Sequence, residues 1–394
     1  MTIDSTLLGL AGGALLFATL PLVVELTTLT FAALLPSTRR KVQINDGADQ
    51  IRMAVIVPAH NEEALVGRCV RSLKATRPSA VEVMVIAHNC TDATASEAGR
   101  AGARVLELNE PDQTGKGYAL QHGVTTALAE GFEVVFVIDS DSVASRNLIN
   151  EVRIAFAAGA RAVQCRYEVL NVGASQRTKL MSLAFLAFNV VRPRGRSRLR
   201  LSAGIFGNGF GLHRSILEQI PFNARSLVED LEYHLNLVRA GIRVEFLNEA
   251  RVWGEMPGGD KGAATQRSRW EGGRLRMMRD WAPRLALGIM GGQIRLVEPL
   301  LDVTALPLAL EVVLLLASLC LPLGWLRFYA AGAFVVVIVH LLAAAACGQD
   351  FWGSLRSVLS VPAYILWKLW MIPKIWRASR TDAEWIRTQR DPAH

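Results

Sequence analysis

The run Val134-Val-Phe-Val-Ile-Asp-Ser-Asp-Ser142 decides how this chain is read. Its apolar, mostly β-branched start predicts a strand buried on both faces, as in a parallel sheet. The run then stops at two carboxylates, Asp139 and Asp141, separated by Ser140. Ligands of open α/β sheets collect beyond the carboxyl ends of the strands, so both acids stand where a ligand would. If the backbone stays extended through them, residues two apart share a face. Both could then reach one hard divalent cation, Mg2+ or Mn2+, bridging a diphosphate. The plain alternative is a polar strand end and a turn, and the tetrapeptide alone does not choose between them.

Upstream, the same pattern repeats. Met53-Ala-Val-Ile-Val57 predicts a strand, followed by Pro58-Ala-His-Asn-Glu-Glu63 and a helix with Leu65, Cys69, Val70 and Leu73 on one face. Val81–Ala87 predicts a second strand, followed by His88-Asn-Cys-Thr-Asp-Ala-Thr94 and an Ala-rich helix that Thr91 or Asp92 could cap. Val105–Leu108 is a third, leading through Thr114-Gly-Lys-Gly117 to a helix that ends near Leu128. Strand and helix in alternation specify an α/β fold with a mainly parallel sheet. The phosphate loop of NTPases is absent around Lys116, and no Gly-x-Gly-x-x-Gly follows the first strand, which removes the nucleotide-hydrolase and dinucleotide readings. Lys116 is either a phosphate or ribose contact or a solvated turn lysine.

Downstream, a helix follows Asn150, and Ala162–Tyr167 predicts a strand. Leu180–Val191 is an apolar helix too short to span a bilayer. It leads into Arg192-Pro-Arg-Gly-Arg-Ser-Arg-Leu-Arg200, which reads as a solvated loop or as a contact to anionic headgroups or a lipid-linked phosphate. Gly204-Ile-Phe-Gly-Asn-Gly-Phe-Gly211 lets backbone approach a ligand at Gly207, Asn208 and Gly209, or permits a tight packed turn. Leu227-Val-Glu-Asp-Leu-Glu-Tyr-His234 opens an amphipathic helix with Glu229 and Asp230 in its first turn, where acids are also common for dipole reasons. A strand through Val244–Leu247 precedes Gln266-Arg-Ser-Arg-Trp270, whose Gln266, Arg269 and Trp270 share one helix face and combine an amide, a diphosphate-pairing guanidinium and an aromatic wall.

The chain has 394 residues, a net charge of +8, and 51% hydrophobic residues concentrated towards both ends. With basic clusters flanking the apolar stretches and no basic reader helix or stacked-aromatic motif, the charge suits a membrane surface and excludes nucleic acid as partner. Five scattered cysteines lack metal-ligand spacing and read as ordinary thiols. Residues 1–36 predict an N-terminal transmembrane helix rather than a cleaved leader, because the positive charge, Arg39-Arg-Lys41, comes after it. That places residues 37–282, the α/β domain, in the cytoplasm. Residues 283–303 predict an interfacial helix and 304–347 two transmembrane helices. Residues 348–394 predict an amphipathic, Trp-rich surface segment with a basic tail, or a third C-terminal span. Glu25, inside the first span, has no assignment from sequence.

Taken together, the motifs resemble those of the inverting family 2 glycosyltransferases, in particular the membrane-bound branch with cellulose, chitin and hyaluronan synthases and bacterial exopolysaccharide transferases. Val55-Ile-Val-Pro-Ala-His-Asn-Glu-Glu63, Asn89-Cys-Thr-Asp92, Gly115-Lys-Gly117, Asp139-Ser-Asp141, Val228-Glu-Asp230 and Gln266-Arg-Ser-Arg-Trp270 occur in the family's order. The resemblance implies a GT-A-like domain that binds a nucleotide sugar through Pro58, Ala59, His60, Glu62, Asn89, Asp92, Lys116, Asp139, Ser140 and Asp141. It implies that Asp92 reads a uracil, which favours a UDP-sugar, and that Asp139 and Asp141 hold Mg2+ or Mn2+. Asp230 would be the catalytic base, while Glu229, Gln266, Arg269, Trp270, Gly207, Asn208 and Gly209 would surround diphosphate and acceptor. The expected reaction is transfer to a lipid or lipid-linked acceptor at a bacterial inner membrane, with partner proteins of polysaccharide assembly. The alternatives are a processive synthase, for which the expected spans are few, and a non-catalytic sugar-nucleotide-binding scaffold.

Overall fold

A computed structural model describes residues 5–36, 51–75, 81–223 and 228–380. Arg39-Arg-Lys41, Leu227 and the basic tail past Arg380 lie outside the described residues. The described chain divides into two units. One comprises residues 51–75, 81–178, 202–223 and 228–266, the other residues 5–36, 179–201 and 267–380.

The first unit is built on strands β1 (Met53–Ala59), β2 (Val81–His88), β3 (Arg104–Leu108), β4 (Val134–Val137), β5 (Ser142–Ala144), β6 (Ala162–Val169), β7 (Phe210–His213) and β8 (Val244–Gly254). Among the described residues these form one sheet in the order β3-β2-β1-β4-β7-β6-β8-β5. The half β3-β2-β1-β4 is parallel. Strand β7 then runs antiparallel to both β4 and β6, so the sheet is mixed rather than uniformly parallel. Period-two alternation splits each central strand between two cores. Met53, Val55 and Val57 meet Val66, Val70, Leu148 and Val152 on one face, while Ala54 and Ile56 meet Leu120, Val124, Tyr233 and Leu237 on the other. Burial on both faces is why these strands read as near-continuous apolar runs.

Three expectations fail for local reasons. Strand β4 stops at Val137, and residues 139–142 form a turn closed by the Ser142 N–H donating to the Asp139 carbonyl (3.1 Å), so extended-strand face-sharing does not bring Asp139 and Asp141 together. Strands β5 and β7 were not expected: one has three residues, and the other is four residues entered from a glycine-rich run that hides strand character. Strand β8 continues to Gly254, well past Leu247.

The second unit is helical. The apolar helix Ser5–Leu34 packs against the short helix Arg192–Arg198 at Gly195, where a Cβ would lie 2.2 Å from the Leu29 carbonyl oxygen. Residues 192–198 are therefore neither a solvated loop nor free to meet headgroups throughout. Arg192 and Arg196, one helical turn apart, are 4% and 1% exposed. Both pair with Glu25, itself 2% exposed, and with Asp302, while Arg196 also pairs with Glu298. Glu25, unassigned from sequence, thus has partners where an intramembrane carboxylate needs them.

Two described helices, Ser5–Leu34 and Gly324–Cys347, are long and apolar enough to cross a membrane. Leu308–Cys320 has 13 residues; at 1.5 Å per residue that is about 20 Å, short of a ~30 Å hydrocarbon core. It meets Ile294–Thr304 at 82°, so the first of the two crossings expected over 304–347 is not one straight helix. No separate interfacial helix begins at residue 283 either: the helix Asp260–Met290 runs straight through Pro283.

Candidate active site

The parallel strands end on one edge, and their loops form the site. Pro58 and Ala59 are the buried last residues of β1. The chain then turns through Asn61 (φ 55°), and Asn89 just after β2 has φ 51°. Asparagine is the side chain that tolerates this left-handed region best after glycine. Both amides are used to fasten loops: Asn61 Oδ1 accepts from the Thr91 N–H (2.7 Å), and Asn89 donates to the carbonyls of Glu110 (2.9 Å) and Gln113 (3.1 Å). The His60 Nδ1–H donates to the His88 carbonyl at 2.8 Å, which fixes its tautomer. Burial and the neighbouring His60 hold the His88 imidazole below its usual pKa, so it is neutral. The Glu62 N–H donates to Thr94 Oγ1 (2.7 Å).

Asp92 sits in this cradle. Its Oδ1 accepts from the N–H (2.9 Å) and hydroxyl (2.5 Å) of Thr94, and its Oδ2 from the Glu63 N–H (3.2 Å). These bonds orient the carboxylate.

The acidic half of the site comes from β4 and β7. Because β7 is antiparallel to β4, with Phe210 opposite Val137, the Gly207-Asn208-Gly209 turn that starts β7 lies against the end of β4. The Gly209 N–H donates to the Val137 carbonyl (3.0 Å), and Asn208 Oδ1 accepts from the Asp139 N–H (3.1 Å) while its Nδ2 donates to the Ser142 hydroxyl (2.8 Å). That hydroxyl donates in turn to Asp141 Oδ1 (3.0 Å). Gly207 (φ 72°) brings the turn so near the helix Glu229–Arg239 that a Cβ there would be 3.0 Å from Asp230 Oδ2. Lys116, first residue of the helix Lys116–Ala129, closes the set: its ammonium is 2.5 Å from Asp139 Oδ1 and donates to the Gly207 carbonyl. The reading of Lys116 as a solvated turn lysine is thereby corrected.

The electrostatics follow from this packing. Burial pushes the Asp230 carboxyl above its ordinary value; its own helix N–H from Leu231 and the Lys116 ammonium pull the other way, and Asp139 adds to the rise. For Lys116 burial opposes the charge, but Asp139, Glu229 and Asp230 outweigh it and keep the amine protonated. The site therefore holds an ionised lysine among three carboxylates, one of them with raised basicity.

Ser140 is buried in the turn. Gln266 is buried in the first unit, whereas Arg269 and Trp270 lie three and four residues on in the same helix and belong to the second. There Trp270 lies 6.0 Å from the Phe185 ring, with the Arg267 guanidinium 5.7 Å over its face. Two supporting residues escaped sequence reasoning. Gln164, wholly buried on β6, donates to the carbonyls of Asn208 (2.8 Å) and Gly209 (3.2 Å) and accepts from the Phe206 N–H (3.0 Å), shaping the glycine turn. Arg68 donates to the Asp141 carbonyl (3.4 Å) and pairs with Glu255 (2.6 Å). The signal for Gln164 was weak: its strand also carries Arg166 and Glu168, so one more polar residue did not stand out.

Among the described residues no three His, Cys, Asp or Glu side chains gather to hold a metal ion. By the chemistry of their side chains Asp139 and Asp141 are hard oxygen donors of the kind Mg2+ or Mn2+ takes, a partial ligand set that phosphate oxygens would have to complete.

Residues 51–273 match the family described as glycosyltransferase-like family 2. The probable glycosyltransferase YdaM of Bacillus subtilis (strain 168) is 23% identical over 265 residues, which are 62% of this chain; the chain spans 59% of that relative's length. Among solved structures, mannosyltransferase PcManGT from Pyrobaculum calidifontis, in complex with GDP-Man and Mn2+, is 19% identical, with 94% of this chain and 97% of that one covered at a TM-score of 0.55. Glucosyl-3-phosphoglycerate synthase from Mycobacterium tuberculosis, in complex with Mn2+, UDP-glucose and phosphoglyceric acid, is 22% identical over 60% of this chain and 84% of that one, with a TM-score of 0.43. The likeness to PcManGT bears out the GT-A-like α/β fold.

Proposed function

The chain belongs to glycosyltransferase-like family 2, and on that premise we propose that its α/β domain transfers a sugar, with inversion, from a nucleoside-diphosphate sugar to a hydroxyl of a lipid or lipid-linked acceptor. The observation that carries the reading is the convergence of Asp139 and Asp230, 91 residues apart in sequence, around Lys116 and the Gly207 turn.

Asp230 takes the proton of the acceptor hydroxyl as its oxygen forms a bond to the anomeric carbon, and the bond from that carbon to the diphosphate breaks in the same displacement. Its raised basicity suits this work. Asp139 and Asp141 would hold Mg2+ or Mn2+, which would supply positive charge against the charge growing on the leaving diphosphate. The Asp92 carboxylate, oriented by Thr94 and Glu63, supports a uracil reader and hence a UDP-sugar. The likeness to a structure containing GDP-Man keeps a GDP-sugar as the second donor reading.

The apolar helices Ser5–Leu34 and Gly324–Cys347 support a multi-pass protein of a bacterial inner membrane. Its domain would face the cytoplasm, and an acceptor whose tail stays in the bilayer would serve envelope or exopolysaccharide assembly with partner proteins. The test is diphosphate release by the full chain in lipid-containing micelles, across a panel of UDP- and GDP-sugars with lipid-extract acceptors. One donor should turn over, and Asp230→Asn should slow it by about 10²–10⁴; unchanged turnover in that variant would sink the assignment. One sugar added per acceptor supports single transfer, whereas a ladder of products marks a processive synthase.

A further inference from the structure

We propose that Lys116 is the resident cation of Asp139 in the donor-free protein and that it is exchanged for the divalent metal, moving onto diphosphate oxygens, when the nucleotide sugar enters. The inference rests on the proposed donor site and adds to it an order of binding. In the structure the Lys116 ammonium lies 2.5 Å from Asp139 Oδ1 and donates to the Gly207 carbonyl, with Glu229 and Asp230 as the next carboxylates. A metal taking that same oxygen would meet the ammonium at close range, where two like charges repel strongly, and this favours exchange over sharing.

The placement of the lysine also shows what holds it. Lys116 is the first residue of a 14-residue helix whose first turn carries no acid, and a cation there opposes the helix dipole. The helix packs on β1 and β2 through its apolar face, with Gly123 against Ile56 and Ile86. The lysine is kept by the carboxylates, not by the helix. Its stem is flexible and its ammonium a compact point charge. Gly115, directly before it, has φ 111° and open space around its Cβ position, so the start of the helix leaves room for an entering ligand. A diphosphate supplies what the exchange needs: anionic oxygens for Lys116, and the ligands that two aspartates alone do not provide. Metal and donor therefore bind as a unit, and free metal binds poorly.

Electron paramagnetic resonance of free Mn2+ tests this on the full chain in detergent–lipid micelles, with and without UDP or GDP. Wild type should bind Mn2+ weakly alone and at least about tenfold tighter with a nucleotide. Lys116→Met should bind Mn2+ alone about tenfold tighter than wild type, with the nucleotide's effect correspondingly smaller. Lys116→Arg, which keeps the charge, should behave as wild type without nucleotide. If Lys116→Met binds nucleotide-free Mn2+ no better than wild type while wild type still takes Mn2+ with a nucleotide, the exchange is wrong and the donor site stands. If wild type takes Mn2+ with neither nucleotide, both readings fall together.

Discussion

At the scale of single residues, the chemistry rests on Asp230. Removing its negative charge while keeping its shape, Asp230→Asn, should lower kcat by about 10²–10⁴, the usual contribution of a positioned base. Donor binding, read by nucleotide titration, should persist; a variant that loses binding and turnover in proportion would make Asp230 a donor ligand instead. The direction of its pKa sets a second expectation. Burial raises the carboxyl, and the base must be ionised to act, so kcat/KM should rise with pH through a limb lying above the ordinary aspartate range and fall as the carboxyl is protonated below it. Lys116 favours the ionised form, so Lys116→Met should move that limb further up; a limb that stays put would show that another group titrates. Each of these residues was legible in sequence as a candidate, because a carboxylate at a strand end or helix start is visible there. Their proximity was not. Asp139 meets Asp230 only through the antiparallel β7, which sequence reasoning did not see, and through Gly207, whose reason for being glycine is a neighbour 23 residues on.

At the scale of elements, legibility followed length and alternation. Strands β1, β2 and β4 announce themselves because they are buried on both faces for most of their length, so their runs are largely apolar. Strands β5 and β7 do not, since three residues, or four with a glycine among them, carry too little pattern, and these are the two strands whose antiparallel pairing makes the sheet mixed. The glycine turn before β7 is where an element-level change should reach the chemistry. Gly207→Ala places a methyl 3.0 Å from Asp230 Oδ2 at a backbone with φ 72°. The left-handed conformation alone costs a non-glycine residue about 1–2 kcal/mol. The expected result is a fall in kcat larger than any fall in melting temperature, because the turn must shift towards or away from the base. Equal kcat in a stable Gly207→Ala protein would show that the turn does not position Asp230. Gly195 is the structural counterpart: Gly195→Ala drives a methyl into the Leu29 carbonyl and should destabilise the helical unit by about 1–3 kcal/mol, the usual range for overpacking, seen as a lower melting temperature in detergent.

At the scale of the whole molecule, each unit is assembled from segments distant in the chain, and in the helical unit charge does part of the assembly. Glu25, Glu298 and Asp302 meet Arg192, Arg196 and Arg274. Three carboxylates face three guanidiniums, so the set is neutral when all are ionised. This is also where sequence reading had least to offer: an acid inside an apolar helix and a run of alternating arginines each looked anomalous, and neither names the other across 167 residues. The whole arginine run reads from sequence as a solvated loop or a headgroup contact, because nothing local reveals that Arg192 and Arg196 face inward. The arrangement predicts an asymmetry. Glu25→Leu leaves the cluster with one uncompensated buried positive charge and should cost about 3–5 kcal/mol, as breaking a buried pair from one side does, whereas replacing both partners with apolar groups of similar volume is commonly near neutral. Glu25→Leu should therefore melt well below wild type in detergent, followed by intrinsic tryptophan fluorescence, and Glu25→Leu combined with Arg192→Met should recover most of the loss. If the double variant is as unstable as the sum of the two singles, the carboxylate and guanidinium act independently, and the N-terminal helix is held by its apolar face and the Gly195 contact rather than by charge.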